Sequence, residues 1–218
     1  MPLKPSPEYC KDFIESQIAS CEQEHVCCVP LGESPLPKRV LDVQDVSGLI
    51  KLIETAGGDK TAYTALSHCW GASPRVLKTT HYNIQSHLSG IPWTDLPRTF
   101  QDVIALTRCL GIRCIWIDSL CIMQGDTLDW EIQSSKMGQI YSSSFLCIAA
   151  TGSEDSDGGL FFNRWAIWPT FKDYSSPSPS AIPISMKPIE LPVLGAPSHS
   201  KIYARPVPRT SHSLGSIL

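Results

Sequence analysis

Apolar residues run unbroken through Cys114, Ile115, Trp116 and Ile117 and stop at the carboxylate of Asp118, the pattern of a buried strand with a polar mouth. Just upstream the period changes. Phe100, Val103, Ile104, Thr107 and Leu110 recur at helical spacing, Pro97 opens the segment and Gly111 stops it. The spacing therefore predicts a helix over 99–110, a glycine turn and a strand over 114–118. The same reading predicts a strand over 62–67, a short helix over 82–88, a helix over 128–141 and a strand over 145–151. In the helix over 128–141, Trp130, Met137, Ile140 and Tyr141 form the stripe expected to face the sheet. Strands alternating with helices predict an α/β fold with a short parallel sheet flanked by helices. Upstream, 39–43 and 49–54 read as two β segments around the turn Asp45, Val46, Ser47, Gly48, which pair as a hairpin at a sheet edge. Residues 9–24 form an amphipathic helix with Phe13, Ile14 and Ile18 on one side.

Composition divides the 218 residues into three parts. Residues 1–38 are a helix and a Cys-rich lead-in, 39–164 an α/β domain, and 165–218 an irregular Pro/Ser-rich tail. Prolines 169, 177, 179, 183, 188, 192, 197, 206 and 208 exclude regular helix and central strand from most of that tail. Only 201–205 reads as a strand there. The net charge is -3 and Lys and Arg form no runs, so the electrostatic footprint of a nucleic-acid binder is missing. No apolar stretch reaches the ~20 residues of a membrane span, and the start lacks the apolar core of a signal peptide. The expectation is a cytoplasmic protein with no membrane and no nucleic acid among its partners. Its nine cysteines are odd in number, and Cys109, Cys114, Cys121 and Cys147 lie in apolar runs, where a thiol behaves as a small hydrophobe.

Ligands of an open parallel sheet bind beyond the carboxyl ends of its strands. Those ends carry Ser67, His68, Cys69, Trp70 and Gly71 after the first core strand, and Asp118, Ser119, Cys121 and Gln124 after the second. Thr151, Gly152, Ser153, Glu154 and Asp155 follow the third. A carboxylate facing a hydroxyl, an indole and a glycine suits a ribose and a base; the same groups also suit hydrogen bonds between neighbouring loops. Ser67, Trp70, Gly71, Asp118, Ser119, Cys121 and Gln124 are therefore the candidate ligand-binding residues. His68, Cys69 and Asp118 look like a thiol triad, but consecutive strand residues point to opposite faces and keep His68 from Cys69. Cys21, His25 and Cys28 offer three soft ligands where a structural zinc needs four, and their spacing is not that of paired Cys-x-x-Cys fingers, so a packed Cys-rich turn is the expected reading. Asp126, Thr127 and Asp129 read as a helix cap and first-turn acids favoured by the helix dipole.

Three ordered blocks carry a family resemblance. Ser67, His68, Cys69, Trp70, Gly71 match a Ser-x-x-Trp-Gly block, Leu96 and Pro97 a Leu-Pro block, and Trp116 to Gln124 a Trp-Ile-Asp-x-Leu-Cys-Ile-x-Gln block. The chain resembles the fungal heterokaryon-incompatibility (HET) domain over 36–164. Asp129, Met137, Ile140, Tyr141, Ala149, Ala150, Gly158, Gly159, Leu160, Phe161 and Arg164 extend the match. His68 stands where the family usually has Tyr, Gly125 where an acid or amide is commoner, and Ser144 where Ala is usual.

The resemblance implies a fold related to the Toll/interleukin-receptor-like (TIR-like) three-layer arrangement. It also implies an intracellular signalling or death-effector module of non-self recognition, with protein partners and possible self-association. Some TIR-like domains hydrolyse NAD with a glutamate, and in the HET family the corresponding candidate lies in an Arg-x-Trp-x-x-Gln-Glu block. The sequence reaches Leu218 without that block. The expectation is accordingly a non-catalytic module with no cofactor and no known catalytic residue, with NAD hydrolysis or nucleotide binding as the alternative.

Overall fold

A computed structural model describes residues 5–24, 34–45, 47–71, 76–162 and 202–203. In chain order its elements are α1 (Pro7–Glu24), β1 (Ser34–Pro35), β2 (Arg39–Asp42), β3 (Lys51–Glu54), β4 (Lys60–Thr61), β5 (Tyr63–Ser67), α2 (Ile84–Ser89), a 3-10 turn (Trp93–Asp95), α3 (Arg98–Cys109), β6 (Cys114–Ile117), α4 (Asp118–Cys121), α5 (Thr127–Ser134), α6 (Met137–Ser143), β7 (Leu146–Ala149) and β8 (Ile202–Tyr203). β1 and β4 form a small ribbon, and the remaining strands form one sheet in the order β3-β2-β6-β5-β7-β8.

The centre of that sheet is parallel, with β5 between β6 and β7, as alternating strands and helices require. The whole sheet is mixed, which corrects the expectation of a parallel one. β2 runs antiparallel to both β3 and β6, and β8 antiparallel to β7. β2 and β3 form the expected hairpin, which has no crossover helix to impose a parallel direction. Its turn is organised by Asp45, whose carboxylate accepts the Ser47 amide at 2.9 Å and the Ser47 hydroxyl.

Helices lie on both faces. Thr64 and Tyr63, adjacent in β5, point to opposite sides: the Thr64 hydroxyl meets that of Thr107 in α3 at 2.8 Å, and the Tyr63 hydroxyl donates to Ile140 O in α6 at 2.6 Å. Covered in this way, β2, β6 and the first four residues of β5 are buried throughout. α3 ends as its glycine predicts. Gly111, at φ +73°, donates to Arg108 O, while Ile112 donates to Thr107 O, the paired closure of a Schellman motif. α1 packs on α3 through Cys10, Ile14 and Ile18, which follow one another at i, i+4; Phe13 falls off that stripe and is exposed, contrary to expectation.

The helix predicted over 128–141 is two helices, α5 and α6, separated at residues 135–136. Ile140 is buried and Met137 and Tyr141 pack against the core as expected, but Trp130 points outward with Leu128 and Ile132. The inward positions of α5 are Asp129 and Gln133. The cause lies across the fold: β2 delivers the buried guanidinium of Arg39 to this face, and a buried charge there requires a partner carboxylate. Among the described residues no helix is long and apolar enough to cross a membrane.

Candidate functional site

β5 and β6 run in parallel, so their carboxyl ends bring the residues after Ser67 beside those after Ile117. Asp118 ends the apolar run by opening the one-turn helix α4, where its Oδ1 accepts the Ser119 amide at 2.7 Å. The Trp70 indole N–H donates to both carboxylate oxygens, at 3.2 and 3.1 Å. The candidate pair Trp70 and Asp118 is thus brought together, as a latch between two strand ends. His68 completes the cluster. Its ring packs edge-on against Phe100 with 5.0 Å between centroids, and Nδ1 lies 3.8 Å from Asp118 Oδ1, too far for a hydrogen bond. Neither imidazole nitrogen has a partner among the described residues, and the buried Ser119 hydroxyl has none either.

The other candidates go elsewhere. Ser67 is the exposed last residue of β5. Gly71 adopts φ +73°, and a Cβ there would lie 2.4 Å from Asp155 Cβ, so this position holds the loop after β5 against the loop after β7. Cys121 turns its sulfur back to the Ile117 amide at 3.5 Å, and burial pushes its thiol up to about 12, which leaves it unreactive at neutral pH. The Gln124 backbone N–H donates to Thr79 O at 2.7 Å, while Thr79 N–H donates to Ser119 O at 3.0 Å. These two bonds lace the segment after β5 to the block after β6. Cys69 is exposed while the His68 side chain is wholly buried, so the two do not form a thiol–imidazole pair. Sequence reasoning passed over His68 as a core residue, although the period of two already places it on the Thr64 and Leu66 face of the strand.

The block from Cys121 to Asp129 is fixed from β2. Arg39, 1% exposed, donates through Nε to Cys121 O at 2.8 Å and through Nη2 to Asp129 Oδ2. Asp129 also accepts the Met123 amide at 2.9 Å and Lys38 Nζ at 2.9 Å. Asp126 caps α5 as predicted, accepting the Asp129 amide at 3.0 Å. Asp129 is more than a first-turn acid, because its side chain is the counter-charge of a buried arginine. No local signal marks Arg39; its partner lies 90 residues away.

Among the described residues no group of three or more His, Cys, Asp or Glu is placed to hold a metal. Cys21 lies near the end of α1, and His25 and Cys28 lie outside the described residues. For NAD, the fit rests on Asp118, the carboxylate placed to receive a ribose hydroxyl. Both of its oxygens carry the Trp70 indole, and clefts of about 200 and 280 Å³ lie elsewhere on the molecule. Trp70 already occupies that carboxylate in the folded domain, so a ribose hydroxyl would have to share it.

Burial dominates the electrostatics of the cluster. It raises the Asp118 carboxyl against the lowering effect of the Ser119 amide and the Trp70 indole, and it drives His68 from 6.5 down to about 4. Because the unfolded chain then binds the His68 proton more readily, stability falls as pH drops from 6.5 towards 4. The expected loss is about 3 kcal/mol. Asp118, raised in the folded state, works in the opposite sense, so the comparison must be with His68→Phe, which breaks no hydrogen bond. Urea midpoints measured from pH 7 to pH 4 should fall less steeply in that variant; equal slopes would refute the assignment.

The fold and the strand-end cluster define a mixed α/β domain with helices on both faces and its motif residues locked between parallel strand ends. The family model for the heterokaryon incompatibility protein (HET) matches residues 63–182, more than half of the chain, and the chain belongs to that family. Comparisons with curated proteins and with solved structures returned no match. Membership implies a role in heterokaryon incompatibility.

Proposed function

We propose that the chain serves heterokaryon incompatibility as a cytoplasmic effector module that signals cell death through protein contact, and that its strand-end cluster is structural. The observation that carries this reading is α5. Leu128, Trp130 and Ile132 are 72%, 53% and 52% exposed, while Asp129 and Gln133 face inward. A helix that buries Asp129 and Gln133 while leaving Leu128, Trp130 and Ile132 in solvent beside Glu131 offers apolar side chains for another surface to cover. Asp118 supports the same reading, since its carboxylate is committed to Trp70 and Ser119. Helices on both faces of a parallel three-strand centre are also what a TIR-like arrangement requires.

The test is expression in a heterokaryon-forming fungus of the wild type, a Leu128→Ser, Trp130→Ser, Ile132→Ser variant, and Asp118→Asn. The triple variant should keep its melting temperature and lose the death response, and Asp118→Asn should retain the response. Death abolished by Asp118→Asn with its fold intact, together with NAD turnover by the purified wild type, would establish the enzymatic alternative instead.

A further inference from the structure

The cleft of about 200 Å³ lies between the segment 35–38 and the helices α5 and α6, where Tyr63 begins β5. It is therefore at the opposite end of that strand from the Trp70–Asp118 latch. Leu36, Ile140 and Tyr63 line it with Lys38, Lys136 and Gln133, and no carboxylate does. The Tyr63 hydroxyl is already spent on Ile140 O, and Lys38 is paired with Asp129. Lys136 has no ion pair among the described residues. Gln133 is 4% exposed, and its side-chain amide makes no hydrogen bond to any described residue. Its amide atoms are not among the fully buried polar atoms left without a partner, so the tip of this otherwise buried side chain reaches the solvent of the cleft, where a ligand atom can meet it.

Size and charge together select the ligand. The volume is below the ~300–1,000 Å³ of pockets that hold drug-sized molecules and suits a group as large as one amino-acid side chain. An ammonium and an amide beside aliphatic walls favour a carboxylate carried on a short apolar stem. We infer that this cleft binds a glutamyl-type carboxylate, with Lys136 supplying the charge and the Gln133 amide a donor in the cleft wall. The group is either a free small acid or a glutamate side chain of a partner segment; the inference stands independently of the α5 surface and of the latch.

The test uses the full ¹⁵N-labelled chain and follows the Gln133 side-chain amide signal. The probes are N-acetylglutamate N-methylamide, a capped Ala-Leu-Glu-Leu-Ala peptide, and the matched glutamine version of each. A saturable shift with either acidic probe is expected, absent with its glutamine match and about tenfold weaker in Lys136→Gln. Response to the capped single residue identifies the free acid as the source, and response confined to the peptide identifies a partner segment. Lys136→Met replaces the glutamine variant if the latter melts lower than the wild type. Absence of a saturable shift with both acidic probes, equal shifts from the glutamine probes, or unchanged affinity in a normally melting Lys136 variant would overturn the inference.

Discussion

Trp116→Ala is expected to cost about 3–5 kcal/mol, enough to remove most of the stability of a domain whose total is ~5–15 kcal/mol. Trp116 is 1% exposed in the middle of β6, between β2 and β5, and its ring meets that of Tyr141 edge-on at 5.4 Å. Truncation there opens a cavity under α6 that strands bonded on both sides cannot close. Urea unfolding should show the loss directly. Trp116→Phe should retain much of the edge contact and lie between the two. A Trp116→Ala protein with the wild-type midpoint would mean that β6 is wrongly placed.

Asp129→Ala should cost a similar amount, about 3–5 kcal/mol, because it strands a buried guanidinium. Arg39 is 1% exposed, and without Asp129 its remaining partners are Cys121 O and the largely exposed Glu54, 3.8 Å away. Replacing both members, Arg39→Met with Asp129→Leu, should be far milder than either removal alone, since no uncompensated charge remains. Lys38→Met should change stability by only ~0–1 kcal/mol, its side chain being 52% exposed. Burial alone would raise the Asp129 carboxyl, but Lys38, the Met123 amide and Arg39 together hold it below its free value of 3.8. Its contribution is therefore complete above pH 3.8 and disappears as the pH falls through the lower folded value. Urea midpoints of the single and double variants at pH 7 form the double-mutant cycle that checks this; additive losses would refute the pairing.

Local periodicity made much of this fold legible. The strand ending at Asp118, the helix closed by Gly111, the hairpin around Asp45 and the cap at Asp126 each follow from neighbours a few residues apart, where sequence pattern and local structure coincide. The failures are non-local. Nothing near Trp130 reveals that its helix must offer a carboxylate to an arginine on β2, so Trp130 alone of the expected stripe faces outward while Met137, Ile140 and Tyr141 pack inward. The direction of β2 against β6 was equally hidden, because hairpin patterning fixes only the partner within the hairpin. At the candidate site, the order of the blocks placed Trp70 and Asp118 together correctly, 48 residues apart. Cys121 and Gln124 share the same block, but the Cys121 sulfur turns back to the Ile117 amide and the Gln124 side chain folds onto Ile122 O.

The hairpin of β2 and β3 lies upstream of the matched stretch, which starts at Tyr63. A fragment begun at that boundary would make β6 an outer strand, with Cys114 and Ile115 deprived of the partners that Asp42 and Leu41 provide. It would also leave Asp129 without either of its cations. The stretch matched by the family model thus starts inside the sheet, and expression or deletion boundaries drawn at its edge would cut through the sheet itself.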